Sequence, residues 1–491
     1  MNRSLTLASS VAGAVIVALD GTVLTVAQPA LQHDLHASLS QAQWTGTGYL
    51  VAVASLLVFA GRLGDRHGHR RVFGVGMLGF GAVSAALAVA PGVGWVIGLR
   101  IAQGVFGALL QPATLGMLRA SFPPERLRTP IAVRTAAIGV TAAVGPVIGG
   151  ALTTGFGWRS VFLVNVVPAL LFGALALASR EETRPSADAP LDLPGALLLA
   201  VALACLVHTL VTLPGVSWSA PVALLAAVAF VRHERRAPAP LLPSAAALGR
   251  TGGGDRGPRP VGAALGLLVV ASAALNGAVF ASVYLLQDGL GLTPLHSALL
   301  SLPLAVFLVA AAPTAAVLLR RAGARATLTG ATAVLAVGLL VLAGAAAPAV
   351  FCAGFALMGA GFGATMVAAT HVVVRQASAE SAGVAGGLQQ TAMNVGPALG
   401  VATATVLMDL GAPRSPLWAL ACAAAAAPAL CRALPGRARP ATTARPTTGP
   451  TACSAGHPAE GSDATHRDHR AERGPHARSL RDDEVGGRPG G

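Results

Sequence analysis

The sequence predicts an all-α polytopic membrane protein with fourteen transmembrane helices, and three observations support this fold class. Of the 491 residues, 54% are hydrophobic and only 11% are charged, whereas soluble domains carry about 25% charged residues. Apolar runs of membrane-spanning length recur along most of the chain. The arginines between these runs fall in alternate loops, which is the distribution that the positive-inside rule describes.

The apolar runs define the predicted helices. A spanning helix needs about 20 mostly apolar residues. Windows of this length occur at 7–30, 46–64, 72–91, 95–118, 131–153, 160–179, 192–213, 217–232, 261–286, 295–319, 326–345, 347–374, 382–408 and 415–433. The window at 217–232 is the shortest of them.

The arginine distribution predicts the topology and argues against nucleic-acid binding. The net charge is +14 and the sequence has no Lys, but the basic residues lie in short clusters between apolar runs. With fourteen spans, all the Arg-rich loops lie on the side of both termini. The opposite loops hold only Arg159 and Arg414. We therefore expect a multi-pass protein of the inner (plasma) membrane with both termini in the cytoplasm.

An internal repeat divides the chain into two halves. Val144-Gly145-Pro146-Val147-Ile148-Gly149 matches Val395-Gly396-Pro397-Ala398-Leu399-Gly400, and Phe106-Gly107-Ala108 matches Phe362-Gly363-Ala364. Parallel repeats of this kind are a common construction of secondary transporters. The repeat predicts a six-helix bundle at 1–180, two inserted helices at 181–236, a cytoplasmic linker at 237–260, a second six-helix bundle at 261–434 and a disordered tail at 435–491.

An acidic residue stands out in the basic loop after the second window, Gly61-Arg62-Leu63-Gly64-Asp65-Arg66-His67-Gly68-His69-Arg70-Arg71. The glycines permit a tight turn. Asp65 is expected at a helix N-terminus, where the helix dipole favours a carboxylate, and the start of the thirteenth span near Ser381 is the candidate. The alternative is a loop that only sets topology.

Asp20 lies within the first span, and Arg100 lies at a similar predicted depth in the fourth. A charged residue inside the bilayer is costly and is a functional candidate by default. Burial disfavours a charged carboxylate and a nearby arginine favours it. A carboxylate balanced between these effects can take up and release a proton, so we expect Asp20 and Arg100 to couple transport to protons. A purely structural ion pair is the alternative.

These motifs resemble the major facilitator superfamily, and within it the fourteen-span drug:proton antiporters of the multidrug efflux type. The loop with Gly61, Asp65, Arg66, Gly68 and Arg70 is similar to the signature loop, which acts as the cytoplasmic gate. The other matches are Leu99-Arg100-Ile101-Ala102-Gln103-Gly104, Leu19-Asp20-Gly21-Thr22-Val23 and Trp158-Arg159 with Phe162 and Asn165.

The fifth span carries Gly145, Pro146, Gly149 and Gly150, which resemble the antiporter motif. The resemblance implies a role in gating or in the direction of transport. Close packing of helices through small residues is the alternative.

The resemblance implies a major facilitator fold, two six-helix bundles plus two inserted helices, that carries out proton-coupled efflux of drug-like, antibiotic or secondary-metabolite molecules. We expect Gln103, Asn165, Gln390 and Asn394 to line the substrate cavity, with hydrogen bonds between helices as the alternative for each. An apolar, amphiphilic substrate fits such a cavity, and a cation is one option because Asp20 is the only deep acid.

The remaining expectations concern partners and rival functions. The partners are a small-molecule substrate, protons and membrane lipid, without nucleic acid; we expect a monomer, no cofactor and no metal. Without Lys the chain lacks a phosphate-binding Gly-Lys-Ser/Thr loop, and no catalytic template fits, so an enzyme is not expected. Proton-coupled nutrient uptake and a non-pumping channel or sensor remain the alternatives.

Overall fold

In the computed structural model, residues 3–179, 192–212, 217–237, 259–376, 382–411 and 413–432 are described. These ranges contain helices, turns and no strand. The linker predicted at 237–260 and the tail predicted at 435–491 lie almost entirely outside them. The N-terminal helices are α1 (Arg3–Asp34), α2 (Leu39–His67), α3 (His69–Ala88), α4 (Val93–Ser121), α5 (Arg128–Phe156) and α6 (Ser160–Ala178).

The later helices follow the same antiparallel order. They are α7 (Leu193–Val211), α8 (Ser219–Arg236), α9 (Arg259–Tyr284, continued by a π turn at Leu285–Gly289), α10 (Pro294–Ala343), α11 (Pro348–Gln376), α12 (Ala382–Asp409), α13 (Ser415–Ala426) and α14 (Pro428–Cys431). We call the end of the molecule with the connections at 34–39, 88–93, 156–160 and 289–294 the Arg-poor end, and the opposite end the Arg-rich end.

Eleven helices in the described ranges are long and apolar enough to cross a membrane. One of them, α10, covers two of the predicted spans, 295–319 and 326–345. It is interrupted at Gly323, whose φ of 82° lies in the left-handed region, which glycine adopts without the steric cost of a Cβ. The predicted number of fourteen spans therefore stays a prediction, whereas the all-helical membrane fold is confirmed.

Two predicted windows also differ from the helices. The window 217–232 corresponds to α8, which extends to Arg236 and carries three arginines in its last turns. The window 415–433 corresponds to α13 and the short α14, which are separated at Ala427. Pro428 has no N–H to continue the hydrogen-bond ladder, so the helix is interrupted there.

Helix packing has the same pattern in both parts of the chain. In the first part α1 packs on α5 and α2 packs on α4; in the second, α9 packs on α12 and α10 packs on α11. The cross-contacts match as well, because α5 packs on α10 and α12 packs on α2. This pattern agrees with the sequence repeat.

The α7–α8 hairpin lies against the line where the two parts meet. α7 packs on both α2 and α12, and α8 packs on α7. Val51 of α2, Val207 of α7 and Ala398 of α12 share one buried apolar cluster. The hairpin therefore bridges the α2–α12 contact.

Candidate functional site: a buried carboxylate among amides

Asp20 and Arg100 form an ion pair inside the helix bundle. Arg100 Nη1 lies 2.5 Å from Asp20 Oδ2, and the two residues are only 2% and 1% exposed. Asp20 lies midway along α1, and Arg100 lies on α4. Arg100 Nε also donates to the Thr45 carbonyl of α2 at 2.9 Å. The two helices therefore meet at a carboxylate that is closed off from bulk water.

Gln103 and Asn165, which we expected in a substrate cavity, instead contact this carboxylate. Gln103 Nε2 donates to Asp20 Oδ1 at 3.1 Å, and Asn165 Nδ2 donates to the same atom at 3.0 Å. Both side chains are fully buried. A carboxylate accepts hydrogen bonds and cannot donate them. In the described part of the chain, the donors to Asp20 are Arg100, Gln103 and Asn165. Both amides thus make hydrogen bonds between helices, and their predicted role in the substrate cavity stays a prediction.

Two buried polar atoms beside the ion pair have no hydrogen-bond partner in the described part of the chain. They are Asn165 Oδ1 and the Tyr49 hydroxyl. The Tyr49 ring lies under Arg100, with the guanidinium carbon 4.5 Å from the ring centroid. An unpaired polar atom in a buried site costs free energy. These two atoms are available as hydrogen-bond partners if Asp20 takes up a proton and becomes a donor.

The start of α6 directs its polar face toward this cluster. Phe162 and Asn165 lie three residues apart, so they share one side of α6. Trp158, in the turn before α6, packs edge-on against the Phe162 ring. At the Arg-poor end, Trp158 Nε1 and Arg159 Nη1 donate to Asp34 Oδ2 at 2.9 and 2.7 Å. The Trp-Arg pair therefore fixes the start of α6 against the end of α1, and with it the position of Asn165.

Open space adjoins the ion pair at Gly21. Gly21 is exposed, and a Cβ built there would meet no atom within 4 Å. α1 packs on α2, α4, α5, α6, α9 and α10, so an exposed residue halfway along it faces the interior of the protein. The residue that follows the buried carboxylate is therefore exposed and borders open space.

Gln390 and Asn394 are not part of the Asp20 cluster. Asn394 Nδ2 donates to the Gln390 carbonyl at 3.0 Å, a bond within α12. Asn394 also borders a small apolar gap shared with Val51 of α2 and Val207 of α7. In the described ranges no hydrogen bond joins either residue to Asp20, Gln103 or Asn165. Their predicted role in the cavity stays a prediction.

The signature loop forms a sharp turn between α2 and α3. Gly68 has a φ of 90° and its N–H donates to the Gly64 carbonyl, so this position requires glycine. Asp65 Oδ1 lies 3.1 Å from His69 Nε2. The expected partner of Asp65, the helix start near Ser381, lies outside the described residues.

The other loop residues have different surroundings. Arg66 is exposed at the end of α2. Gly61 faces Pro112 of α4, with 3.7 Å between a built Cβ and the proline Cβ. Arg70 Nε and Nη1 are buried without a partner in the described part of the chain.

The antiporter motif lies at two helix contacts. A Cβ at Gly145 would collide with the Thr22 hydroxyl, and one at Gly149 would lie 2.8 Å from Val23 Cα, both on α1. A Cβ at Gly150 would lie 2.8 Å from the Pro294 carbonyl oxygen at the start of α10. α5 continues through Pro146. Gly145 and Gly149 therefore permit the α1 contact, and Gly150 permits the contact with the second half.

Further contacts between the halves lie at the same end. His33 Nε2 is 3.1 Å from Asp288 Oδ1. Gln287 Nε2 donates to the Val26 carbonyl at 3.0 Å, and the Leu295 N–H donates to Thr154 Oγ1 at 3.3 Å. The Arg-poor end is thus closed by contacts between α1, α5, α9 and α10.

Arg134 is a charged residue that the sequence interpretation did not select. It lies within α5, and its Nε donates to Thr114 Oγ1 of α4 at 3.2 Å. No carboxylate in the described part of the chain lies within ion-pair distance of it. It could have been found by the rule that selected Asp20, because it falls inside the window 131–153; the arginines just before that window obscured it.

Comparisons with known proteins agree with this architecture. The Major Facilitator Superfamily model matches residues 11–253 and 264–461. A peptide transporter solved in complex with sulfate superposes with a TM-score of 0.62 at 16% identity, over 87% of this chain and 93% of the other. At that identity the likeness concerns the fold.

Two sequence relatives are similar over most of their length. The tetracenomycin C resistance and export protein of Streptomyces glaucescens is 38% identical over 82% of this chain and 75% of its own. A probable actinorhodin transporter of Streptomyces coelicolor is 34% identical over 81% of this chain and 73% of its own. By the family match across most of its length, this chain belongs to the Major Facilitator Superfamily and is a membrane transporter, not an enzyme.

Proposed function

We propose that this protein exports antibiotic-like or secondary-metabolite molecules across the plasma membrane in exchange for protons, and that Asp20 carries the proton. The observation that supports this most directly is a carboxylate buried inside the helix bundle, paired with Arg100 and surrounded by amide donors. The relatives named for resistance and export support the direction and the substrate class.

The proposed topology has fourteen spans with both termini in the cytoplasm. It counts α10 as two spans, 294–322 and 324–343, and includes α8 and the α13–α14 segment. Fourteen spans place both termini on the Arg-rich side, which the positive-inside rule assigns to the cytoplasm. The halves 1–180 and 261–434 then rock about the central cavity, and the observed closure at the Arg-poor end corresponds to a state open toward the cytoplasm.

The surroundings of Asp20 offer hydrogen-bond partners to both the carboxylate and the carboxylic acid. As a carboxylate, Asp20 accepts from Arg100, Gln103 and Asn165. As a carboxylic acid it must donate one hydrogen bond, and the unpaired Oδ1 of Asn165 can accept it after the amide rotates. Protonation also removes the charge that holds Arg100 in place. The protonation state can therefore control the α1–α4–α6 contact, which is what proton coupling requires.

The test uses inside-out vesicles with an acidified interior and a fluorescent reporter of ΔpH. A panel of antibiotics, dyes and aromatic acids is added to vesicles with wild type or Asp20→Asn at matched amounts. We expect some compounds to dissipate ΔpH with wild type and none to do so with Asp20→Asn. Equal responses from both proteins would show that Asp20 is structural, and responses only in right-side-out vesicles would indicate uptake.

A further inference from the structure

Arg100 of α4 and Arg134 of α5 both lie inside predicted spans, and of these two only Arg100 has a carboxylate partner in the described part of the chain. Arg100 is paired with Asp20. Arg134 lies six residues after Arg128, so at 1.5 Å per residue it is about 9 Å inside α5. The charged residues before it are the cations Arg119, Arg126 and Arg128 and one acid, Glu125, in the turn between α4 and α5. In the described part of the chain, Glu125 is not within ion-pair distance of Arg134. An unpaired charge in a spanning helix is costly and marks a functional site.

The position of Arg134 follows from the α1–α5 contact. The two helices run in the same direction, and Gly145 meets Leu19 and Thr22 at the level of Asp20. Arg134 is eleven residues before Gly145, which places it about 16 Å nearer the Arg-rich end. Thr114 supports this level independently, because its carbonyl accepts from Ser10 of α1 while its hydroxyl accepts from Arg134.

Most N–H donors of the Arg134 guanidinium are not used by the Thr114 contact. An arginine carries five N–H groups in a planar fork that suits a carboxylate, and Thr114 takes only the one on Nε. Arg134 is partly exposed, and its terminal nitrogens are not among the enclosed polar atoms. The fork that would bind an oxyanion is therefore open to a ligand.

We propose that Arg134 binds an acidic group of the transported molecule, so that the substrates are amphiphilic anions. This inference rests on the proposed export function and replaces the cationic option of the sequence interpretation. That option depended on Asp20 as a free acid, but Arg100 already neutralises Asp20. Arg134 lies nearer the Arg-rich end than Asp20 does, so an anion that enters from that end reaches Arg134 first.

Binding of matched acids and amides to the protein in lipid nanodiscs tests the proposal. The probes are naphthalene-, anthracene- and pyrene-carboxylates and the corresponding carboxamides, with affinity measured from the thermal shift. We expect the carboxylates to bind wild type more tightly, and Arg134→Gln to weaken carboxylate binding at least tenfold without changing carboxamide binding. Arg134→Lys should retain part of the carboxylate preference. Arg119→Gln, at the exposed end of α4, is the matched control and should behave as wild type.

A measurement without ligand distinguishes this role from a structural one. If Arg134 is kept for substrate, Arg134→Gln removes an unpaired charge and should raise the Tm of the empty protein. If its bond to Thr114 holds α4 against α5, the Tm should fall, and the proposal is wrong. The proposal also fails if no carboxylate binds wild type or if Arg134→Gln weakens the binding of carboxylates and carboxamides equally. It fails as well if the substitution changes only the thermal shift caused by anionic phospholipid and not the binding of the carboxylate probes.

Failure of the export function gives a different result. Binding and thermal shift need no proton gradient, so a protein without ΔpH-linked transport can still show the loss of carboxylate binding in Arg134→Gln. Conversely, ΔpH-linked transport that proceeds equally with carboxylates in wild type and Arg134→Gln leaves export intact and contradicts the role of Arg134.

Discussion

Asn165 donates to Asp20 through Nδ2, while its own Oδ1 is buried without a partner among the residues that the structure describes. A side chain in this position can respond to the protonation of its neighbour, because one amide offers either a donor or an acceptor. The start of the helix that carries Asn165 is held in place by the Trp158 and Arg159 contacts, which lie in the turn just before α6. Proton coupling in this protein is therefore expected to depend on an amide as much as on the acid.

Asn165→Leu should lower the rate of proton-coupled efflux about tenfold or more. A hydrogen bond to a charged group contributes about 1.5–3 kcal/mol, and the leucine can neither donate to the carboxylate nor accept from the acid. Substrate-induced dissipation of ΔpH in vesicles measures the effect. Asn276→Leu on α9 is the control, because the Asn276 Nδ2 donates to the Ser272 carbonyl of its own helix. Equal losses in both variants would contradict a specific role for Asn165.

Asp20→Asn should reduce stability as well as coupling, and a second substitution should restore only stability. Removing one partner of a buried ion pair leaves an uncompensated charge and costs about 3–5 kcal/mol, whereas replacing both partners is often neutral. We expect the double variant Asp20→Asn/Arg100→Gln to have a Tm near that of wild type and no ΔpH-linked transport. Recovery of transport in the double variant would show that the pair is structural.

Gly150→Ala should impair transport without preventing insertion. A Cβ at this position would lie 2.8 Å from the Pro294 carbonyl oxygen and 2.9 Å from Leu295 Cα, so the backbones of α5 and α10 must separate. Gly139→Ala on the same helix is the matched control, because a Cβ there meets no atom within 4 Å. Efflux at equal membrane abundance compares the two. A Gly150→Ala protein as active as Gly139→Ala would exclude a gating role for this contact.

Export of an anion in exchange for a proton should respond strongly to membrane potential. If one proton enters for each monoanion that leaves, two elementary charges move per cycle, and 100 mV contributes about 4.6 kcal/mol compared with about 2.3 kcal/mol for a neutral substrate. Potentials set with potassium and valinomycin at zero ΔpH measure this in vesicles. We expect the carboxylate gradient to depend on voltage about twice as steeply as the carboxamide gradient. Equal slopes would argue against an anionic substrate.

The sequence was sufficient to select isolated charged residues within apolar runs, but it could not specify which side chains contact each other in the fold. Asp20 and Arg100 stood out because a charge within an apolar run is rare, and the structure brings them together. Gln103 and Asn165 contact Asp20, a neighbour that the sequence pattern does not specify, because a polar residue in a span can face a cavity or another helix with the same pattern. Their role toward the substrate stays a prediction. Arg134 was overlooked because it comes soon after the basic loop with Arg126 and Arg128. The sequence did not show whether Arg134 belongs to that loop or lies inside the membrane-spanning part of α5.

Helix boundaries were least predictable at small residues. Gly323 interrupts α10 without ending the helical hydrogen bonding around it, so two predicted spans are assigned to one element. Composition alone does not specify the backbone angle that a glycine adopts. The contact of Gly150 with Pro294 could not be predicted either, because it joins residues that are far apart in the sequence.

The position of the α7–α8 hairpin restricts how a lipid-soluble compound can reach the cavity from the side. A transporter made of two halves has two lateral seams, here α2–α12 and α5–α10. α7 packs on both helices of the first seam, and its leucines and valines fill the groove there. A compound dissolved in the bilayer leaflet therefore meets α7 at the α2–α12 seam, whereas the hairpin leaves the α5–α10 seam uncovered in the described part of the chain.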